Sequence, residues 1–428
     1  MQRVEAGSTS WAELVARRRH ELAPPELRAA VAEIIAAVRA GGDAAVCELT
    51  ARYDGCELAP LQLRVSREEI AAAPLDAELE RALHMAIDHV RSFHERQRRG
   101  AWQAANPAGG RVGEIVRPVA RAGVYVPGGT APLLSTVIMT VVPAQVAGVE
   151  EICVATPPGP DGAVNAGILA ACRACGISEI YRIGGAQAIA ALAFGTQSVT
   201  PVDVIAGPGN RFVTEAKRQV FGYVGIDLLA GPSESMIIMD DSAEPAHVAA
   251  DLLSQAEHHG SATYLVGLSG LAIDRVETHL YALLETLLRD TALRQAVQER
   301  LVAVHVSSPE QAAEVANAIA PEHLQIIARD HGAVLAHVRN AGAVFLGPWA
   351  PVPLGDFVAG PSHVLPTNGA ARYMSGLSTD VFVKRIAVIE CTQESFARMA
   401  PAIEVFGRAE QLPAHALTAT LRMRRGCP

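Results

Sequence analysis

The chain has 428 residues, half of them apolar and 19% charged, with few aromatics and a formal net charge of −9. That length predicts two or three domains, and the composition excludes a disordered chain. An acidic balance offers no general attraction to nucleic acid or an anionic membrane surface, so neither is expected as a partner.

The opening stretch MQRVEAGSTSWAELVARRR has no apolar core of the secretory type, so no leader is expected and the location expected is cytoplasmic. The first hundred residues read as helical, with Gly-Gly pairs at 41–42 and 109–110 as punctuation. The basic run His94-Glu95-Arg96-Gln97-Arg98-Arg99 reads as a solvated helix face. From about 111 the pattern changes to short apolar runs at 122–126, 151–155, 179–183 and 202–206. Helical stretches at 165–175, 186–194 and 211–220 lie between or after them. No charge occurs between Arg121 and Glu150, but Pro127, Pro132 and Pro143 would break a membrane-spanning helix there. A second set follows, with strands predicted at 235–239, 263–266, 302–306 and 342–346 and helices at 245–258, 271–289 and 309–318. The chain closes on helical pieces at 393–405 and 413–423.

One layout met twice predicts an α/β fold with two related, doubly wound parallel-sheet halves and a cleft between them. The expected divisions are a helical segment, 1–110, packing on the second half; a first half, 111–231; a second half, 232–380; and a helical tail, 381–428. The seven cysteines are dispersed, so a disulfide framework is not expected, and Cys172-x-x-Cys175 reads as a pair of buried thiols.

Several residues are of types suited to chemistry. Gln255 and His258 lie three apart near the end of a predicted helix and share one face. That face suits a metal or a substrate, and equally a histidine that meets the last helix carbonyls. In Pro321-Glu322-His323-Leu324 the proline suits a first helical position. This predicts Glu322 and His323 at a helix mouth, with the glutamate held ionised and the imidazole neutral. They read as a pair of bases or as a charge-dipole arrangement. Asp356, in a predicted Gly-Pro-rich loop, needs a partner among its apolar neighbours, either a metal or turn backbone. Glu410 and His415 read on their own as solvated residues.

Glycine clusters follow two predicted strands, at Pro127-Gly128-Gly129-Thr130 and Gly184-Gly185-Ala186-Gln187, and Gly207-Pro208-Gly209-Asn210 precedes a helix. None matches G-x-G-x-x-G, so the usual dinucleotide fingerprint is absent while a dinucleotide site stays open. The chain has no nucleophile elbow, P-loop or H-E-x-x-H, which leaves no simple hydrolase or kinase reading.

Together the segments 125–130 with 132–137, 184–190, 207–210, 230–234, 254–258, 321–324 and 355–366 resemble, in order, the signature blocks of the histidinol dehydrogenase family. The resemblance spans roughly residues 20 to 425. It implies two incomplete Rossmann-like domains and an NAD-dependent alcohol and aldehyde dehydrogenase with one zinc ion per active site. The implied reaction is oxidation of L-histidinol to L-histidine through bound L-histidinaldehyde with two NAD, closing histidine biosynthesis. It implies Gln255, His258, Asp356 and His415 as zinc ligands and Glu322 and His323 as bases. Substrate contacts would add Ser233 and Glu410, and NAD contacts would fall on Tyr125, Gln187 and Asn210. The implied assembly is a homodimer with shared active sites, His415 coming from an exchanged tail. The nitrogen and oxygen donors of that ligand set suit Zn²⁺. Two other readings stay open at this point: a dehydrogenase of another small polar alcohol, and a non-catalytic zinc-containing binding protein.

Overall fold

The computed structural model describes residues 1–8, 11, 23–128, 132–257, 260–287 and 291–424. Strand β1 (Gln2–Glu5) precedes helices Pro25–Gly41, Asp43–Asp54, Arg67–Ala72 and Ala77–Glu95. Strands β2 (Trp102–Ala105) and β3 (Arg111–Pro118) pair antiparallel. Next come β4 (Arg121–Tyr125), β5 (Glu151–Thr156), β6 (Ile180–Arg182), β7 (Val204–Ala206) and β8 (Gly225–Ile226), separated by helices Leu134–Ala147, Ala166–Ala174, Gly185–Phe194 and Arg211–Val220. Strands β9 (Glu234–Met239), β10 (Ala262–Gly267), β11 (Leu301–His305), β12 (His323–Ile327) and β13 (Ala343–Leu346) follow. Helices Pro245–Ala256, Gly270–Thr286, Thr291–Arg300 and Pro309–Ile319 lie among them. A short helix, Val352–Phe357, then leads to β14 (Val383–Glu390) and helices Gln393–Ala409 and Pro413–Met423.

Residues Met1–Gln97 with Ala120–Phe382 form a larger unit, and Arg98–Val119 with Val383–Pro428 a smaller one. The larger unit holds two wholly parallel sheets, ordered β6-β5-β4-β7-β8 and β1-β11-β10-β9-β12-β13. Apart from β1, which takes the outer edge of the second sheet, the chain starts each sheet in the middle, steps outward to one side and returns to the other, which is the doubly wound plan the repeated layout predicted. Every residue of β4, β9 and β10 is buried, as expected of parallel strands covered on both faces. Apolar clusters line both faces of each sheet. Side chains of Asn165, Asn210, Ser269 and Ser308 accept first-turn amides and fix where four of the covering helices begin.

Two expectations change. The N-terminal helices pack on the first sheet rather than the second: Pro25–Gly41 lies against Gly185–Phe194 and Arg211–Val220, and Ala77–Glu95 against Leu134–Ala147. Their buried stripes, such as Val31, Ile34 and Val38, complete the first sheet's core, and only β1 joins the second sheet, beside β11. In addition, residues 102–105 and 383–390 are strands rather than helix, and with β3, which the sequence places in the first half, they form the antiparallel order β14-β3-β2 of the smaller unit. Among the described residues, no helix is long and apolar enough to cross a membrane.

Candidate active site

At the carboxyl ends of the first sheet's strands the backbone lies bare. Gly207 follows β7 with φ +117°, and a Cβ there would overlap the carbonyl oxygen of Tyr125 at the end of β4. A Cβ on Gly184 would lie 2.7 Å from Pro157 and 2.8 Å from Asp54, and one on Gly128 would lie 2.6 Å from the Thr156 hydroxyl. The Tyr125 hydroxyl accepts the Gly185 amide at 3.1 Å. Burial pushes this phenol up to about 12, so it keeps its proton. Gln187, fully buried, donates through Nε2 to Asp54 at 3.2 Å. Burial lifts Asp54 to about 6, against the lowering effect of that hydrogen bond. Asn210 accepts from the amides of Phe212 and Val213 at 2.9 and 3.1 Å and so caps its helix. Tyr125 and Gly207 face each other where the strand order reverses, between β4 and β7, the usual crevice for a ligand in an open α/β sheet. Bare glycine backbone at this place fits the close approach of a dinucleotide.

In the second sheet the candidate residues gather at the opposite, amino ends of the strands. Ser233 and Glu322 immediately precede β9 and β12, and His323 is the first residue of β12. The His323 imidazole lies between two carboxylates, with Nδ1 3.8 Å from Glu322 Oε2 and Nε2 3.7 Å from Asp356 Oδ1. Gln255, in the last turn of Pro245–Ala256, donates through Nε2 to Ser233 Oγ at 2.7 Å, which leaves its amide oxygen as an acceptor. Burial pushes Glu322 up to about 8. A hydrogen bond from Ser233 works against the rise, and the nearby carboxylates of Asp356 and Glu234 add to it. Burial likewise lifts Asp356 to about 6.

This geometry corrects two expectations. Pro321 does not open a helix. Helix Pro309–Ile319 stops at Ala320 in the left-handed conformation, and the apolar run after His323 continues as a central strand. Glu322 is therefore held by no positive helix end, and burial raises its pKa instead of leaving it ionised. Asp356 sits in the helix Val352–Phe357 rather than in an open loop. The structure brings Ser233, Gln255, Glu322, His323 and Asp356 together. His258 lies outside the described residues, and Glu410 and His415 belong to the smaller unit. There they are exposed beside a hollow of about 440 Å³ lined by Met399, Ile403, Phe406 and Leu412. Sequence reasoning missed His363, which meets the Asp356 carbonyl through Nδ1 at 2.9 Å and Thr136 Oγ1 through Nε2 at 3.1 Å. Desolvation lowers this imidazole to about 4, so it is neutral and anchors the turn that carries Asp356. It also missed Asp54. Asp54 carries no motif, and His363, although inside the 355–366 block, is identified only by its three-dimensional proximity to Asp356.

Among the described residues no group of three or more His, Cys, Asp or Glu side chains converges as a metal cage. The donors that are in place nevertheless fit a cation. No Lys or Arg among the described residues pairs with Asp356, and the Gln255 amide is turned with its nitrogen on Ser233. A largely desolvated carboxylate of that kind favours a positive partner or a proton.

A sequence model described as histidinol dehydrogenase matches residues 17–423. A histidinol dehydrogenase of Moorella thermoacetica is 47% identical over 405 residues, covering 94% of this chain and 95% of the relative. One of Geobacillus kaustophilus is 45% identical, covering 96% and 97%. The crystal structure of histidinol dehydrogenase from Elizabethkingia anophelis superposes with a TM-score of 0.92 at 35% identity, covering 99% of this chain and 98% of that one.

Proposed function

The chain belongs to the histidinol dehydrogenase family of zinc- and NAD-dependent oxidoreductases, and we propose that it oxidises L-histidinol to L-histidine with Glu322 and His323 as its bases. The observation that carries this reading is the His323 imidazole held between the carboxylates of Glu322 and Asp356. Oxidising an alcohol requires removal of the hydroxyl proton as hydride departs, and a buried imidazole beside two carboxylates suits that task. The second oxidation requires water to add to the aldehyde. Glu322, lifted to about 8, is a stronger base than an ordinary carboxylate and exchanges protons near neutral pH. Ser233, bonded to both Gln255 and Glu322, orients the two. His323, together with the zinc ligands, forms the wall against which the substrate lies.

Gln255, His258, Asp356 and His415 would hold the zinc, which when bound supplies a template for the substrate's imidazole and amine nitrogens while NAD accepts hydride. Tyr125, Gln187 and Asn210 take the NAD side. The first sheet, within 111–231, then serves the cofactor and the second, within 232–380 apart from β1, the chemistry. In this reading the protein is a cytoplasmic homodimer, and the tail 381–428 brings Glu410 and His415 to the partner's site, where Glu410 accepts a hydrogen bond from the substrate's imidazole N–H. The exposed Val405, Phe406, Leu417 and Leu421 on that tail support such an exchange, since an apolar face of this kind calls for a covering surface.

The test is to follow NADH and L-histidine together after mixing zinc-loaded protein with L-histidinol and NAD. The expected outcome is two NADH for each L-histidine, since the change is a four-electron oxidation, with loss of activity on chelation and recovery with zinc. Oxidation of a different amino alcohol alone would move the substrate assignment. Oxidation of none would remove the roles given to Glu322 and His323.

A further inference from the structure

Behind the first sheet's crevice lies a buried ion pair that the chemistry above does not use. Lys217 and Asp227 form a salt bridge with side chains only 2% and 0% exposed. Both partners also grip the backbone of one residue. Lys217 Nζ donates to the Gly207 carbonyl at 3.0 Å, and the Gly207 amide donates to Asp227 Oδ2 at 2.7 Å. Asp227 Oδ1 additionally accepts the Leu228 amide at 2.6 Å. Gly207 is the residue pressed against the Tyr125 carbonyl in a left-handed conformation, and it begins the turn that ends at Asn210, the cap of the helix carrying Lys217. Taking two charges out of water is costly unless each finds partners, and these two find each other and both polar groups of a single glycine.

We infer that the Lys217–Asp227 pair is a positioning device for the cofactor side of the site: it clamps Gly207 against Tyr125 and thereby sets the spacing between Tyr125 and Asn210. The inference rests on the reading that those two residues face NAD. Neither charge reaches the crevice, so neither is a catalytic residue, and the effect travels through the Gly207 backbone.

The experiment uses the zinc-loaded full-length protein and three variants. Lys217→Met with Asp227→Leu removes both charges at similar volume, a replacement that buried pairs often tolerate without loss of fold. Asp227→Asn retains an acceptor for Gly207 but drops the charge. Asn210→Ala tests the underlying reading directly. The readouts are NADH binding followed by its fluorescence, KM for NAD, KM for L-histidinol and thermal unfolding. A displaced loop is expected to raise the NADH dissociation constant and the NAD KM by about tenfold in the double variant and less in Asp227→Asn, with the histidinol KM within about twofold of wild type. If both KM values rise together, or neither does, in a folded variant, the clamp is overturned. It is also overturned if neither clamp variant folds, because the pair then serves the core alone. If Asn210→Ala leaves NADH binding unchanged, the assignment of Asn210 to the cofactor fails, and a tenfold effect there with none from the clamp variants removes the clamp but not the assignment.

Discussion

In the first parallel sheet the residues of interest, Tyr125, Gln187 and Asn210, lie at or beyond the carboxyl ends of their strands; in the second, Ser233, Glu322 and His323 lie at or before the amino ends of theirs. Apart from the added edge strand β1, the two sheets share one strand order, so strand order alone does not place the chemistry. Helix polarity matches the chemistry found at each end. Beyond the carboxyl end of a parallel strand the next helix presents its amino end, which favours phosphate. Before the amino end of a strand the previous helix presents its carboxyl end, which favours cations. Gln255 occupies such a last turn, in Pro245–Ala256. One sheet thus offers glycine-bare backbone suited to a nucleotide, and the other offers buried carboxylates suited to a metal and a cationic substrate.

If this division holds, His323→Ala should give the largest effect of the substitutions on one sheet, a fall in kcat of about 10²–10⁴ with unchanged zinc content and NADH binding. Metal analysis and NADH fluorescence check it, and a parallel loss of NADH binding would break the division. Tyr125→Phe addresses the other sheet. It removes the acceptor of the Gly185 amide, so stability should fall by about 1–3 kcal/mol and NADH binding should weaken while zinc content stays whole. Denaturant unfolding and metal analysis separate the two effects. The smallest effect is expected at Asp54. Its pKa in the folded chain, about 6, lies above its ordinary 3.8, so the folded state holds this proton more tightly than the unfolded state does. Stability contributed below the ordinary value is lost as pH rises through about 6. Asp54→Asn should therefore stabilise the protein at neutral pH by about 1–2 kcal/mol, after allowance for solvent screening of a half-buried group, and leave it unchanged in acid. Thermal unfolding across that range checks it.

Much of the larger unit was legible in the sequence because parallel strands buried on both faces read as unbroken apolar runs. The predicted 122–126 and 151–155 lie within one residue of β4 and β5. β12 escaped because Pro321-Glu322 imitates a helix start, although the run Leu324-Gln325-Ile326-Ile327 beyond it carries the strand signal. The strands of the smaller unit escaped for another reason. β3 is half exposed and β14 mostly exposed, and the pairing that orders them joins residues such as Arg111 and Glu390, far apart in the chain. The members of the candidate site were recognisable as a set of signature blocks. Their meeting around His323 followed from that resemblance alone and not from local pattern, since Gln255, Glu322 and Asp356 lie far apart in the chain.

Those distant pairings also govern the order in which the molecule can assemble during synthesis. β1 leaves the ribosome first, yet its partner β11 begins at Leu301, and β3 must wait for a strand that begins at Val383. Closing so long a loop adds little to the equilibrium cost, because that cost grows only slowly with length, but it delays folding. A nascent chain halted before Val383 would hold every strand of the first sheet and still carry β3 with one edge unpaired, an invitation to aggregation.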